Sequence, residues 1–375
     1  MTSKCHLTAK PKNYSIHIPE TLKNTLKNGG FDYFYSMTKV NSMRHKLLLL
    51  CSLFFLNLLT GYSQPIEALT SGIKSSFRGL SVVDDETVWV SGSGGQVGRS
   101  IDGGKTWTFH VIKGQEKTEI RDIEAFDEMQ AVAMGIGSPA QIFRTVDGGA
   151  TWDVVFSDSG KSMFLDAMEF WNEQSGVVIG DPIEGRFYMA RTFNGGRTWE
   201  PLPMKFRPVA DSGEACFASS GTNIRKRKKD EAIFISGGLK SRIFIRDSSF
   251  VIPVIQGTES TGANSIAVKD ENSFMIVGGD FSQKDAFDNV LAYTKDGGIS
   301  WETGLGRPSG YRSCVEYLRK KTWITCGLNG VDITTDDGLH FLNISKTGYH
   351  VCRKAKKGKA VYFAGGQGRI GKLVK

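Results

Sequence analysis

The sequence is poor in the residues and motifs that usually accompany redox or cofactor chemistry. Only six of its 375 residues are cysteine and ten are proline. It contains no C-x-x-C pair, no haem-attachment motif and no dinucleotide fingerprint placed between a strand and a helix. The chain therefore gives no support to an oxidoreductase function, and we expect neither a cofactor nor a bound metal.

An excess of charge of one sign is also missing from most of the chain. The formal net charge is +8, but residues 1–63 hold eight of the 47 Lys/Arg and only two of the 39 Asp/Glu. The rest of the chain, with 39 basic and 37 acidic residues, is almost neutral. Its one basic cluster, RKRKK at 225–229, lies between two apolar runs without aromatic neighbours to stack on bases. We expect a solvated hairpin turn there, and no nucleic-acid partner.

Long apolar runs are absent except near the N-terminus. Residues 43–64, MRHKLLLLCSLFFLNLLTGYSQ, have a basic start, an apolar stretch at 47–59 and then small or polar residues. This pattern is typical of a cleaved secretory signal, and the apolar stretch is short for a membrane span. We expect residues 1–42 to be a disordered, mis-assigned leader, 43–63 to be a signal peptide, and 64–375 to be a domain exported to the periplasm or secreted. An uncleaved anchor is the alternative.

One eight-residue motif occurs five times, as SIDGGKTW (100–107), TVDGGATW (145–152), TFNGGRTW (192–199), TKDGGISW (294–301) and TTDDGLHF (334–341). The short acid can bond to its own turn, glycine accepts a positive φ, and tryptophan can bury a large ring. We therefore interpret the motif as a structural turn. The residues with this role are Asp102, Trp107, Asp147, Trp152, Asn194, Trp199, Asp296, Trp301 and Asp336. A calcium loop is disfavoured, because the oxygen ligands are few and Asn194 replaces the acid.

Each motif belongs to a longer unit. FRGLSVVDDETVWVSG (77–92) aligns without a gap with IRDIEAFDEMQAVAMG (120–135), and five further copies follow. Each copy predicts four short antiparallel strands, so seven copies predict an all-β, seven-bladed propeller. The last copy lacks its fourth strand, whereas PIEALTSG (65–72) precedes the first copy. We expect this stretch to complete the last blade and close the ring without an open edge.

The ordered set of motifs resembles a known family. The boxes resemble the Asp-box of sialidase-type (BNR) repeats. The motifs GDPIEGRF (180–187), DSGEACFASSGT (211–222), VGGD (277–280), GYRSC (310–314) and GRIGKL (368–373) are similar to the photosystem II stability/assembly factor-like group of exported bacterial propellers. The resemblance covers the chain from about residue 65 to its end. It implies a seven-bladed propeller and, from the photosynthetic members, a chaperone-like role in binding a membrane protein during assembly.

The start of each innermost strand opens on one face of a propeller, opposite the box turns. In the alignment this position holds Arg78, Arg121, Asp166, Glu214, Asn264, Arg312 and His350. We expect these residues to form a charged axial mouth, with Asp122, Asp181, Arg186 and Asp280 beside it. Three guanidinium groups, from Arg78, Arg121 and Arg312, would suit a carboxylate or another anionic group.

The mouth leaves two functional classes open. In the preferred one, a monomeric scaffold docks a protein or an anionic or saccharide ligand there. In the other, Asp166 and Glu214 are the paired carboxylates of a sialidase-like glycoside hydrolase whose arginines hold an acidic sugar. A purely structural role, in which these charges pair with one another to hold the blades in register, is the third interpretation.

Four cysteines fall within the repeats. Cys216, Cys314 and Cys352 align with apolar positions two residues beyond the mouth, so we expect them in the core. Export would place them in an oxidising compartment. Cys314 and Cys326 lie symmetrically about a predicted turn near Lys320, which makes them candidates for a cross-strand disulfide.

Overall fold

The computed structural model describes residues 65–70, 72–303 and 306–374. The predicted leader and signal peptide lie outside the described residues. The described strands form seven antiparallel sheets. They are accompanied by a short 3-10 turn at Met204–Phe206, and the described residues contain no α-helix. The seven-bladed, all-β propeller predicted from the repeats is confirmed.

The first three blades are built from consecutive strands. They are β2 (Phe77–Val82), β3 (Val88–Gly92), β4 (Gln96–Ser100) and β5 (Thr108–Val111) in blade one; β6 (Glu119–Ala125), β7 (Ala131–Ile136), β8 (Ala140–Thr145) and β9 (Asp153–Asp158) in blade two; and β10 (Leu165–Phe170), β11 (Gly176–Ile183), β12 (Arg186–Thr192) and β13 (Glu200–Pro201) in blade three.

The next two blades contain short additional strands. Blade four holds β15 (Ile224–Lys228), β16 (Glu231–Ile235), β18 (Arg242–Ile245) and β19 (Ser248–Val251), and blade five holds β20 (Thr261–Val268), β21 (Phe274–Asp280) and β22 (Leu291–Thr294), extended by β14 (Glu214–Ala215) and β17 (Gly237–Gly238). The outer position of blade five is an isolated bridge between Tyr293 and Glu302.

The last two blades complete the ring. Blade six holds β23 (Cys314–Arg319), β24 (Thr322–Gly327), β25 (Gly330–Thr334) and β26 (Leu342–Ser345), and blade seven holds β27 (Val351–Lys354), β28 (Val361–Ala364), β29 (Ile370–Leu373) and β1 (Ile66–Thr70). β1 is antiparallel to β29, with Ile66 opposite Leu373. The predicted closure of the ring by the N-terminal strand is confirmed.

The second strand of a blade is buried along its length, as β3, β21 and β28 show. Consecutive side chains of a strand point to opposite faces of its sheet. Val88 and Val90 accordingly pack in an apolar cluster shared with blades six and seven, whereas Trp89 packs against blade two. Since both faces are covered by neighbouring blades, these strands read in the sequence as unbroken apolar runs.

The repeated boxes form the turns between third and fourth strands, which we call the box turns. In blade two, Thr145 Oγ1 donates to Asp147 Oδ1 and accepts from the Gly149 amide, and Asp147 accepts from the Thr151 amide and hydroxyl. Each box turn also bonds the preceding turn of its own blade, as Gly148 N does with Met129 O. Both turns therefore lie at one end of the propeller, the box end. The opposite end is the mouth end.

The box tryptophans pack between neighbouring blades. Trp152 of blade two meets Trp89 of blade one edge to face, with ring centroids 6.4 Å apart. Its indole N–H donates to Gly149 O at 3.2 Å. Hydrogen bonds within the turn hold the pKa of Asp147 at about 2, so the carboxylate is ionised and directed to its own backbone. Trp152 thus fastens the outer part of blade two to blade one.

Blade four departs from the alignment of the repeats. Its innermost strand is Ile224–Lys228, which contains most of the RKRKK run. The prediction of a solvated turn at 225–229 was therefore wrong, because Arg225 is buried and the turn falls at residues 229–230. Glu214 is not at the head of this strand either. It lies on β14, opposite Gly238 of β17.

Cys216, Cys314 and Cys352 are buried, as predicted. Cys326 is buried as well, and all four thiols are free. Cys314 and Cys326 are cross-strand partners on β23 and β24, but they are not joined by a disulfide. In the part of the chain that the structure describes, no helix is long and apolar enough to cross a membrane.

Candidate functional site

The residues that enter blade four, 217–223, fill the axial channel, and we call this segment the axial plug. Its side chains and carbonyls bond to several blades. Ser219 Oγ donates to Asn264 of blade five at 3.0 Å, and Ser220 Oγ donates to the Ser313 carbonyl ahead of blade six at 2.7 Å. Arg353 of blade seven donates to Gly221 O at 3.1 Å. The plug thus separates the channel into a mouth end and a box end.

Two arginines lie side by side on the plug. Arg78 Nη1 donates to Ser219 O at 3.1 Å, and Arg121 Nη1 donates to Ala218 O at 3.2 Å. Because the two carbonyls belong to consecutive residues, the guanidinium groups are neighbours. Burial lowers the pKa of Arg78, and the charge of Arg121 lowers it further. The structure therefore brings these two predicted site residues together at the mouth end.

A third arginine reaches the same place from blade seven. Arg369, in the turn between β28 and β29, donates from Nε to Gly348 O at 3.2 Å. Burial lowers the pKa of His350 to about 3, and the charges of Arg78, Arg369 and Arg121 add to this shift. His350 is therefore neutral, and its Nε2 lies 3.2 Å from Ser76 Oγ. Arg78, Arg121, Arg369 and His350 form what we call the mouth cluster.

Negative charge only partly balances the mouth cluster. Glu119 Oε2 lies 3.5 Å from Arg121 Nε. Asp166 is fully buried, and neither of its oxygens has a hydrogen-bond partner of ordinary geometry among the described residues. Burial and the nearby charge of Asp181 raise the pKa of Asp166 well above its usual range, although Arg121 and the Ala218 amide oppose the shift. The raised pKa of Asp166 makes this carboxyl a weaker counter-charge for the mouth cluster.

A cleft of about 610 Å3 lies near the mouth, between the β11–β12 hairpin and residues 210–215. Asp181 lines it, and burial raises the pKa of this carboxyl to about 6 despite a bond from the Cys216 amide. Glu214 also lines it, but its carboxylate accepts bonds from Arg242 and from Ser236. Since Glu214 is paired with Arg242 and Asp166 is inaccessible, the two do not form an exposed acid–base pair.

Arg312 does not join the mouth cluster. Its guanidinium is fully buried and pairs with Asp332 through Nε at 2.7 Å and through Nη2. Nη1 donates to Asn329 Oδ1 at 2.6 Å and to Tyr311 O at 2.8 Å. The third arginine whose charge acts on His350, with Arg78 and Arg121, is therefore Arg369. The structural interpretation holds for Arg312, although its partner is none of the carboxylates expected from the sequence.

The other expected residues bond to their own surroundings. Asp122 is buried and accepts from Met168 N of blade three at 2.9 Å, which links the two blades. Asp280 accepts from Ser282 of its own loop, and Arg186 donates to Arg207 O at 2.6 Å. Asn264 accepts from Tyr311 Oη at 2.9 Å, below the mouth cluster.

Two functional features were missed by the sequence reasoning. Arg369 belongs to the GRIGKL stretch, but its turn lies outside the aligned part of the repeat, so it was not assigned to the mouth. The plug lies in DSGEACFASSGT, where the fourth copy is longer than the others. That extra length was the available signal of an added segment. The predicted hairpin turn at RKRKK, 225–229, took it up instead.

The box end of the channel holds a cavity of about 300 Å3. Arg225 lies there 3.8 Å from both Glu169 and Glu316, and Lys356 lies 2.7 Å from Glu124. Burial raises the pKa of Glu316 to about 7, although the charge of Arg225 opposes the shift. Each glutamate of this cavity therefore lies within 4.0 Å of a cationic side chain.

Comparisons with known proteins identify the fold. No protein-family model matches the chain, and neither does any curated protein. Among solved structures, YCF48 bound to D1 peptide is similar over 84% of this chain and 96% of that one, at 14% identity and a TM-score of 0.62. YCF48 from Cyanidioschyzon merolae (82% and 98%, 16% identity, TM-score 0.58) and the WD40 propeller domain of Doa1 (83% and 97%, 13% identity, TM-score 0.58) are also similar. The chain is thus a propeller like those of YCF48 and WD40 proteins.

Proposed function

We propose that this chain is a binding scaffold that docks an acidic segment of a protein partner at the mouth end. The observation that supports this most directly is the placement of Arg78 and Arg121 on consecutive carbonyls of the plug. A planar guanidinium can hold a carboxylate through two parallel bonds, and two adjacent ones can hold it from both sides. Arg369 adds a third positive charge to the same surroundings.

A protein partner agrees better with the structure than a small substrate does. The plug closes the channel behind the mouth cluster, so a ligand there is held at a surface and not enclosed. One similar propeller was solved with a peptide bound. Hydrolysis of an acidic sugar is less favoured, because Asp166 is inaccessible and Glu214 is paired with Arg242.

Export is a further part of the proposal and rests on the sequence of residues 43–64 alone. Cleavage would leave a mature chain that begins near Gln64. Intact-mass analysis of the secreted protein checks this. A chain that retains residues 47–59 would instead indicate an anchor.

A peptide selection tests the docking function. A random peptide library is selected on the full chain and, in parallel, on the double variant Arg78→Ala/Arg121→Ala. We expect peptides rich in Asp and Glu to be enriched on the wild-type chain only, and their binding to weaken with salt. Enrichment of the same peptides on both chains would contradict the proposal. Turnover of a fluorogenic sialoside that is lost in Asp166→Asn would favour the hydrolase instead.

A further inference from the structure

Three cysteines from two blades meet in the core. Cys314 and Cys326 lie on β23 and β24 of blade six, and Cys352 lies on β27 of blade seven. Their sulfur atoms all lie within 4.8 Å of one another, and Cys314 Sγ and Cys352 Sγ are 3.8 Å apart. All three side chains are fully buried. We call this group the thiol triad.

The spacing of the thiol triad matches a metal site with three sulfur ligands. Metal–sulfur bonds of about 2.3 Å place the three sulfurs of a planar site about 4.0 Å apart. The measured 3.8 Å between Cys314 and Cys352 agrees with this, and the 4.8 Å limit on the other separations leaves only small adjustments. Bound metal would bridge blades six and seven, and so bring together residues that are distant in the chain.

The donor set indicates which metal fits. Among the described residues, no histidine or carboxylate completes the triad to four ligands. Structural zinc sites are almost always four-coordinate and tetrahedral, so zinc fits poorly. Soft thiolate ligands select copper(I), zinc or iron–sulfur clusters, and with zinc disfavoured copper(I) is the single ion that fits three sulfurs. The surrounding apolar cluster, which includes Leu80, Ile324 and Phe363, excludes the water that zinc would need as a fourth ligand.

A backbone amide also contacts the thiol triad. The Cys352 amide donates to Cys314 Sγ at 3.4 Å. The apolar surroundings disfavour negative charge on free sulfurs, and a bound cation would compensate the charge of thiolate ligands there.

We propose that the thiol triad binds one copper(I) ion. The three S–H bonds break, their three protons pass to solvent, and copper(I) forms one bond to each sulfur, so the site carries a formal charge of −2 and neither copper nor sulfur changes oxidation state. Because the sulfurs are buried, the ion enters as blades six and seven assemble or separate locally. The site is distinct from the mouth cluster, so the proposal is independent of the docking function.

The test uses the full chain with Cys5→Ser and Cys51→Ser, so that thiols outside the propeller cannot bind the ion. The chain is refolded anaerobically with copper(I) as its acetonitrile complex, and bicinchoninate is then added as a competitor. We expect native mass spectrometry to show one retained ion per chain. X-ray absorption should show three sulfur neighbours at about 2.3 Å and no nitrogen or oxygen ligand.

Variants locate the ion. Cys352→Ala should weaken copper(I) retention at least about 100-fold, more than the loss of an outer hydrogen-bond partner typically costs. Cys216→Ala is the matched control, since this buried cysteine lies outside the triad, and it should retain the ion. If Cys352→Ala does not fold, the X-ray absorption of the parent chain decides alone. Transfer of all copper to bicinchoninate, nitrogen or oxygen ligation, or a stable disulfide within the triad would each overturn the proposal.

Discussion

Arg78 and Arg312 hold equivalent places in the repeat, but their surroundings are opposite. Arg312 is fully buried and paired with Asp332, whereas the Arg78 guanidinium bonds to a carbonyl and lies beside Arg121. A buried pair that loses one member leaves an uncompensated charge in the core. Removing one of two neighbouring like charges relieves repulsion instead. We therefore expect Arg312 to contribute to the stability of the fold and Arg78 to contribute to ligand binding.

Arg312→Ala is expected to lower the free energy of unfolding by about 3–5 kcal/mol, because it strands the Asp332 carboxylate. Arg78→Ala is expected to change it by less than about 1 kcal/mol. Urea denaturation of both variants beside the wild type measures the difference. Equal losses of unfolding free energy in the two variants would show that Arg78 is also a structural residue. They would then remove the main support for ligand binding at the mouth end.

Glu316 predicts a dependence of stability on pH. Burial raises its pKa from 4.5 to about 7, so the folded state favours the protonated carboxyl. Its stabilising contribution is complete below about pH 4.5 and is lost as the pH rises through 7. Glu316→Gln should remove a decline of roughly 3 kcal/mol over this range. Denaturation curves at several pH values check this, with exposed Glu271→Gln as control. If the stability of Glu316→Gln still falls over this pH range as that of the wild type does, other titrating groups cause the fall.

The axial plug is an element that occurs once in the chain, and this explains why the repeats did not predict it. The strands and box turns recur, so a misplaced residue in one copy is corrected by the others. Residues 214–223 have no counterpart, and the alignment placed them on the inner strand of blade four. The RKRKK run reinforced this error, because a buried Arg225 is compatible with folding only beside Glu169 and Glu316 of other blades. Such partners are distant in sequence.

Gly221 tests the contact between the plug and blade two. Its φ is +61°, and an added Cβ would meet the Asp122 carboxyl at 2.4 Å. Gly221→Ala should therefore destabilise the fold by about 3 kcal/mol, through backbone strain and overpacking. Gly114→Ala is the matched control, with φ of +81° and no atom within 4 Å, and should cost about 1 kcal/mol. Thermal melts of both variants measure the difference. Equal decreases in melting temperature would show that the plug moves to accommodate the added methyl group and is not tightly packed against blade two.

At the scale of the whole molecule, the ring was predictable and the chemistry of its ends was only partly so. Period-two strands, tight turns and an incomplete last copy define a closed propeller from local patterns, and β1 pairs with β29 as expected. The alignment of the repeats also predicted correctly that Arg78 and Arg121 lie at the mouth end. Arg312 was misassigned, because the alignment gives the position of a residue on its strand but not the side chain with which it pairs. The pairing of Arg312 with Asp332 depends on side chains twenty residues apart.

The two ends of the propeller differ in the contacts that their arginines make. At the box end, Arg225 and Lys356 are paired with glutamates. At the mouth end, Arg78, Arg121 and Arg369 surround a neutral His350, with Glu119 as a partial counter-charge. Anionic ligands should therefore be attracted to the mouth end.

Calorimetric titration tests this claim most directly. An acidic peptide from the selection is titrated into the wild-type chain, into Arg78→Ala/Arg121→Ala and into Arg319→Ala, whose exposed arginine lies at the box-end terminus of β23. Loss of two charge-assisted bonds should weaken binding by about 3 kcal/mol, or roughly 100-fold, in the double variant. Arg319→Ala should bind like the wild type. Unchanged affinity in the double variant, or an equal loss in Arg319→Ala, would contradict docking at the mouth.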